Sequence, residues 1–96
     1  MDKTMPTEYE VMKVTLFLKI MADTTRAKIL FAIKNSPKSV AEIQELVGAT
    51  QSAVSHQLSI MRRVKIVSTK REGNKIYYSL VNNEIAKILD IAKNHI

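Results

Sequence analysis

The stretch that decides the fold runs from Ser39 to Leu80 and reads SVAEIQELVGATQSAVSHQLSIMRRVKIVSTKREGNKIYYSL. It predicts a short helix, a tight turn at Gly48, a second helix and a β-hairpin. Ser39 and Glu42 have capping-box spacing at the start of the first helix, and Thr50 is typical of the cap of the second. The residues that the first helix is expected to bury are Val40, Ile43, Leu46 and Val47. Because about three residues separate the helices, the pattern predicts a helix-turn-helix followed by a wing.

The second of these helices, from Thr50 to about Val64, has two contrasting faces. At roughly 100° per residue, one narrow apolar stripe is formed by Val54, Leu58 and Met61. The other side has no large apolar group and no acid, and its side chains are Gln51, Ser52, Ser55, His56, Ser59, Arg62 and Arg63. A merely solvated helix would be expected to carry Glu and Lys in i,i+4 pairs. Short donors and acceptors beside arginines suit base edges and phosphates, so this face predicts DNA recognition.

His56 has an alternative interpretation, because an isolated histidine often satisfies a hydrogen bond in the core. Its position opposite Val54 and Leu58 favours an outward orientation, and hence contact with a base or a phosphate. We expect Gln51 and Ser52, with Ser55 and His56, to read the major groove.

The wing is predicted from two runs of β-branched and aromatic residues, 66–71 and 75–80, joined by a turn at 72–74. Its residues expected to alternate towards the core are Ile76, Tyr78 and Leu80. Arg71 and Lys75 flank the tip, where they are expected to meet the neighbouring groove or its phosphates.

Positive charge is concentrated in this half of the chain. The formal net charge of the 96 residues is +6, and nearly all of it comes from residues 50–80. Their basic residues, against the single acid Glu72, are Arg62, Arg63, Lys65, Lys70, Arg71 and Lys75. A basic field over one surface attracts polyanions. We expect double-stranded DNA as the partner, with Arg62, Arg63 and Lys65 on its backbone.

The terminal helices predict a homodimer. A first helix should begin after Thr7, which forms a capping box with Glu10, and a second after Asp23. The residues that the second helix is expected to bury are Ala27, Ile29, Leu30 and Ile33. A last helix should begin after Asn82 or Asn83. The apolar stripes of the first and last helices are wider than one small core can cover. The residues predicted at the dimer interface are Leu16, Ile20, Ile85, Ile88, Leu89 and Ala92.

Composition excludes several other classes. The chain contains no cysteine, so it has neither disulfides nor thiolate sites. It has no apolar signal core at its start and no apolar run of the roughly 20 residues that a membrane span needs, so a cytoplasmic protein is expected. It also lacks a nucleophile paired with a base, and a phosphate-binding glycine loop, so we expect no enzyme. The prediction is one mainly helical domain over residues 1–96, with a winged helix-turn-helix in the order α-α-α-α-β-β-α.

Three segments resemble motifs of the ArsR/SmtB family of small dimeric winged-helix repressors. Residues 21–30, MADTTRAKIL, are similar to the family's ALADPTRLRIL, with Thr24 in place of its usual proline. Residues 51–58, QSAVSHQL, are similar to its recognition-helix motif QSNVSHQL, and residues 71–80, REGNKIYYSL, to its wing motif RxGRxxxYxL. The resemblance implies a dimer built by the first and last helices, and binding to an operator that an effector, most often a metal ion, relieves. A two-fold dimer in turn predicts an inverted-repeat operator.

The family's metal sites match this sequence poorly. The position of its Cys-Val-Cys site is taken here by residues 39–42, which lack sulfur. Matching the zinc site of the last helix by position gives Asn82 and Glu84 for the first pair of ligands and His95 for the third, while the fourth falls beyond Ile96. Two plausible ligands are too few for tight zinc binding, so we expect no metal cofactor and leave the effector unknown. Glu84 and His95 are then expected to complement the helix dipole.

Two functional alternatives stay open at this point. One is a metal-responsive repressor with a degenerate last-helix site. The other is a winged helix that contacts an acidic protein, since such a contact would also depend on the positive charge. The leading prediction is a sequence-specific, dimeric DNA-binding repressor.

Overall fold

The computed structural model describes residues 2–96 as five helices and three strands. In chain order they are α1 (Glu8–Met21), α2 (Thr24–Ile33), β1 (Lys38–Ser39), α3 (Val40–Val47), α4 (Gln51–Arg63), β2 (Val67–Glu72), β3 (Lys75–Leu80) and α5 (Asn83–Asn94). The predicted winged helix-turn-helix order is confirmed, with β1 in addition. None of the helices within residues 2–96 is long and apolar enough to cross a membrane.

Local capping sets where the helices begin. Thr7 and Glu10 form the predicted capping box at α1, and Ser39 and Glu42 form the one at α3. The other helices follow single side-chain caps, which are Asp23, Thr50 and Asn82. Gly48 ends α3 at φ 75°, a left-handed conformation that glycine adopts without a steric penalty. The turn between α3 and α4 therefore has the predicted geometry.

The three strands form one antiparallel sheet in the order β1-β3-β2. In β1, Lys38 pairs with Tyr78 and Ser39 with Tyr77. This two-residue strand is too short for sequence periodicity to reveal, and its second residue is also the N-cap of α3. The sheet thereby joins the wing directly to the start of the helix-turn-helix.

The hydrophobic core lies between α2, α3, α4, α5 and the base of the hairpin. Its buried residues are Ile29, Leu30, Ile33, Ile43, Val54, Leu58, Met61, Ile66, Val67, Ile85 and Leu89. Full burial of an aliphatic side chain of this size stabilises a fold by roughly 1.5–3 kcal/mol. The apolar stripe of α4 is entirely in this core, so its polar side is directed away from the protein.

Three positions predicted to be buried neither belong to the core nor pack against it. Leu46 is 62% exposed, because Ile43 takes the inward position of α3. Ile76 is 41% exposed, since it lies close to the hairpin tip, beyond the end of the core and opposite Arg71. Ala27 is only half-buried.

Helix α1 extends from the rest of the chain. It contains no buried residue, although Phe17, Ile20 and Met21 pack against the core. Its exposed large apolar side chains are Tyr9, Val11, Met12, Val14, Leu16 and Leu18. The radius of gyration is 14.8 Å, against about 12.5 Å for a compact chain of this length. A helix with apolar residues on all sides normally lies between other elements, so this shape leaves α1 without its full packing.

Helix α5 has one buried side and one exposed side. Ile85 and Leu89 are 5% and 3% exposed and belong to the core of the single chain, whereas Ile88 and Ile91 are exposed. Of the α5 residues predicted at the dimer interface, Ile85 and Leu89 are therefore buried in the core, and Ile88 and Ala92 are exposed. An ion pair of 2.6 Å between Lys34 Nζ and Asp90 Oδ1 ties α5 to the end of α2.

Candidate nucleic-acid interface

The exposed face of α4 is the centre of the candidate interface. Val54, Leu58 and Met61 anchor the helix with at most 1% of their surface exposed. All predicted contact residues of α4 are exposed, namely Gln51, Ser52, Ser55, His56, Ser59, Arg62 and Arg63. Apart from a 3.4 Å contact between the Ser52 and Thr50 hydroxyls, none of these side chains is hydrogen-bonded within residues 2–96. Their donors and acceptors are therefore available to a ligand.

The end of α4 is a left-handed turn at Lys65. Its φ is 62°, and it is the single non-glycine residue with positive φ within residues 2–96. The Lys65 amide donates to Arg62 O at 3.1 Å and the Ile66 amide to Met61 O at 2.9 Å, which is the hydrogen-bond pattern of a Schellman motif. This motif usually has glycine at the left-handed position, so the sequence gives no sign of it. It turns the chain from α4 into the wing and leaves Lys65 exposed beside Arg62.

The two basic residues at the wing tip lie on opposite faces of the hairpin. Arg71 pairs with Ile76, and Lys75 pairs with Glu72. Directly opposed residues of an antiparallel pair project to the same face, and successive residues alternate. Arg71 therefore lies on the face that continues to the core at Tyr78, and Lys75 lies on the other. A ribbon with a cation on each face is suited to two phosphate strands on either side of it.

Lys75 also acts on an acid of α3. The Ser39 backbone N–H, 2.9 Å from Glu42 Oε1, is the main cause that lowers the pKa of Glu42, and the Ser39 side chain lowers it further. The positive charges of Lys38 and Lys75 contribute in the same direction. Within residues 2–96, neither Lys75 nor Arg71 forms an ion pair with an acid.

Sequence reasoning missed the hydrogen bonds of Arg26, which lies beneath α4. Its Nη1 donates to Gln57 Oε1 at 3.1 Å, and its Nε to Ile20 O at 2.6 Å. Gln57 belongs to the QSAVSHQL motif, but its side chain is half-buried and held by this bond rather than presented with Ser55 and His56. A long-range pair of this kind leaves no periodic trace in the sequence.

The positions compared with a zinc site are far apart in one chain. Asn82 Oδ1 caps α5 by accepting from the Ile85 amide at 3.2 Å, and His95 Nδ1 lies 2.8 Å from Ile91 O. Glu84 and His95 are at opposite ends of the helix, about 16 Å apart at 1.5 Å per residue. No group of three or more His, Cys, Asp or Glu side chains meets within residues 2–96. A site of the family's kind needs ligands from two chains, so the absence of a metal cofactor stays a prediction.

The fold and this surface define the class of winged helix-turn-helix proteins. A family model described as the arsR family of bacterial regulatory proteins matches residues 23–69. The transcriptional activator HlyU of Vibrio cholerae is 30% identical over 79 residues, which cover 82% of this chain and 73% of HlyU. The chain belongs to the ArsR family.

Other comparisons agree with this assignment. The transcriptional regulator NmtR of Mycobacterium tuberculosis is 40% identical over 81% of this chain and 65% of NmtR. An SmtB homologue of Synechocystis, named as a transcriptional repressor, is 30% identical over 83% of this chain and 61% of that protein. The chain thus spans a little under two thirds of these two relatives. A structure of HlyU from Vibrio cholerae superimposes with a TM-score of 0.84 and 28% identity, over 92% of this chain and 96% of that one.

Proposed function

We propose that this protein is a sequence-specific transcriptional regulator that binds double-stranded DNA and represses transcription. The observation that carries the proposal is the exposed, acid-free face of α4, which projects from a core formed by its opposite side. Gln51, Ser52 and Ser55, with His56, read base edges in the major groove. Ser59 lies farther along the same face. The relatives named as transcriptional regulators support this function.

The backbone of the DNA is held by cations that surround the reading residues. Arg62, Arg63 and Lys65 lie at the end of α4, and Arg71 and Lys75 at the tip of the wing. Their opposite placement on the hairpin supports entry of the wing between two phosphate strands. Contacts of this kind set affinity and register, while the α4 contacts set sequence preference.

The active form is a homodimer through α1 and α5. The exposed apolar residues of α1, together with Ile88 and Ala92 of α5, support this assembly. A two-fold dimer places two copies of α4 on two half-sites, about 34–36 Å or 10–10.5 base pairs between centres. The operator is therefore an inverted repeat. Binding to chromosomal DNA places the protein in the cytoplasm.

Selection from a random pool of DNA duplexes, with and without zinc, tests the proposal. We expect enrichment of an inverted repeat whose half-sites have this spacing. Because the family's ligand positions are incompletely filled here, zinc should change the affinity for the enriched sequence by less than about threefold, which is below 1 kcal/mol. Recovery of no common sequence would contradict the function and favour a winged helix that contacts an acidic protein. A large zinc effect, lost in Glu84→Ala or His95→Ala, would instead identify a metal-responsive repressor.

A further inference from the structure

The side chain of Arg26 joins three helices. Its Nε donates to Ile20 O at 2.6 Å and its Nη2 to Lys19 O at 3.4 Å. Both carbonyls belong to the last turn of α1, where the helix dipole is negative. The Lys19 carbonyl also accepts from the Ala22 amide at 3.3 Å. A guanidinium at this end therefore stabilises the docking of α1 on α2.

The same guanidinium reaches the recognition helix. Nη1 donates to Gln57 Oε1 at 3.1 Å, in the middle of α4. Because the donors of a guanidinium have a fixed planar geometry, the position of α1 and the position of Gln57 are set by one rigid group. Among residues 2–96, hydrogen bonds between α1 and another helix come from Arg26 alone.

We propose that Arg26 is a positioning residue that fixes the recognition helix relative to α1, and so sets the half-site spacing that the dimer accepts. The inference rests on the proposed function, in which α1 joins two copies and α4 reads the DNA. Arg26 bonds to protein groups in all three of its contacts, so its effect on DNA passes through α4. If α4 can shift against α1, the two reading faces lose their fixed separation, whereas phosphate contacts to any DNA persist.

The test uses the inverted repeat selected by the wild-type protein, the same repeat with one base pair inserted between the half-sites, and random DNA. Variants Arg26→Gln, Gln57→Met and the double variant are compared with Lys28→Gln. That control removes one positive charge from an exposed position of the same helix. Circular dichroism and sedimentation show that each variant is folded and has the wild-type subunit number. If Arg26→Gln fails to fold, Gln57→Met, at a half-exposed position, decides the question.

We expect Arg26→Gln and Gln57→Met each to lower affinity for the selected repeat about tenfold, as loss of a part-buried hydrogen bond predicts. Both should reduce the discrimination against the inserted base pair, while binding of random DNA follows Lys28→Gln. The double variant should lose no more affinity than Arg26→Gln alone, because that change already removes the bond to Gln57 together with the bonds to α1.

Equal losses on all three DNAs, or additive losses in the double variant, would overturn the role of Arg26 and leave the proposed function intact. The role of Arg26 would also be overturned if folded, dimeric variants still discriminated as strongly as the wild type against the repeat with the inserted base pair. A wild-type protein without preference for any sequence would overturn the proposed function and this inference together.

Discussion

At the scale of single residues, the side chains of the candidate interface follow from local rules, except where the backbone is unusual. Ser39, Thr50 and Gly48 have the residue types that their caps and turn require, and the sequence predicts them correctly. Lys65 is different, because its left-handed conformation favours glycine. Such a conformation in an L-residue costs roughly 1–2 kcal/mol. The sequence pattern contains no glycine to reveal it.

We expect Lys65→Gly to stabilise the fold and weaken DNA binding together. Relief of the left-handed strain, less the larger entropy of glycine in the unfolded chain, should raise the free energy of unfolding by up to about 1 kcal/mol. Loss of one phosphate contact should flatten the log–log salt dependence of DNA affinity by about 0.9. Urea unfolding and salt titration measure the two effects. Lys65→Ala, which removes the charge without removing the strain, should lose affinity with no gain in stability. A destabilised Lys65→Gly would contradict this explanation.

The Glu42 carboxylate should make α3 sensitive to acid. Its hydrogen bond from the Ser39 amide lowers its pKa in the folded protein below the ordinary value of 4.5. A lowered pKa contributes stability that is fully present above the unfolded value and is lost as pH falls through the folded value. The melting temperature should therefore fall more steeply below about pH 4.5 in the wild type than in Glu42→Gln, where no ionisation occurs. Glu45→Gln, on an exposed position of the same helix, should retain the wild-type slope. Parallel curves for wild type and Glu42→Gln would refute this.

At the scale of helices and strands, the sequence predicts what is local and misses what is long-range. The starts of α1, α3 and α4 follow from capping. The turn of the wing was predicted at 72–74 and is one residue shorter, because Glu72 belongs to β2 and pairs with Lys75. The Arg26–Gln57 and Lys34–Asp90 pairs join residues 31 and 56 positions apart, and no local pattern specifies them. The burial of Leu46 was wrongly predicted because helical spacing gives the direction of a side chain but not the extent of the neighbouring core.

If α4 reads the base sequence and the wing holds the phosphate backbone, substitutions in the two elements should affect DNA binding differently. Gln51→Ala or Ser55→Ala should lower preference for the operator by roughly 1–3 kcal/mol if the residue contacts a base. Arg71→Ala and Lys75→Ala should weaken binding to all DNA alike, because each removes a phosphate contact. Competition between operator and random DNA separates the two. Wing variants that change sequence preference as much as the α4 variants would contradict the assignment.

At the scale of the whole molecule, α1 makes the chain elongated, with extents of 53 × 29 × 22 Å. Its exposed apolar face, like that of α5, predicts a second copy as the partner. The sequence predicted wide apolar stripes on both helices. It did not distinguish Ile85 and Leu89, which are buried within the single chain, from Ile88, which is exposed. Core and interface side chains share one periodicity, and only the packed structure distinguishes them.

Leu16→Glu and Ile88→Glu should therefore give a folded monomer with weakened operator binding, because a charge at these exposed apolar positions opposes burial by a partner. Sedimentation at micromolar concentration measures the subunit number. Leu46→Glu is the matched control, since it makes the same change at an exposed position of α3 and should leave the dimer unchanged. Leu89 is unsuitable for this test, as it lies in the core. A wild-type monomer, or a dimer unaffected by either change, would refute the interface.

The central claim is that the acid-free face of α4 reads a DNA sequence, and competition at fixed salt tests it most directly. The selected inverted repeat and a scrambled duplex of equal length and composition compete for the wild-type protein at 150 mM salt. Specific regulators bind their sites typically 10³- to 10⁷-fold more tightly than other DNA. We therefore predict that the protein binds the selected repeat about 10³-fold or more tightly than the scrambled duplex, and that base changes within the half-sites account for most of this difference. Equal affinity for the two duplexes would show that only charge holds the protein on DNA, and would contradict the account.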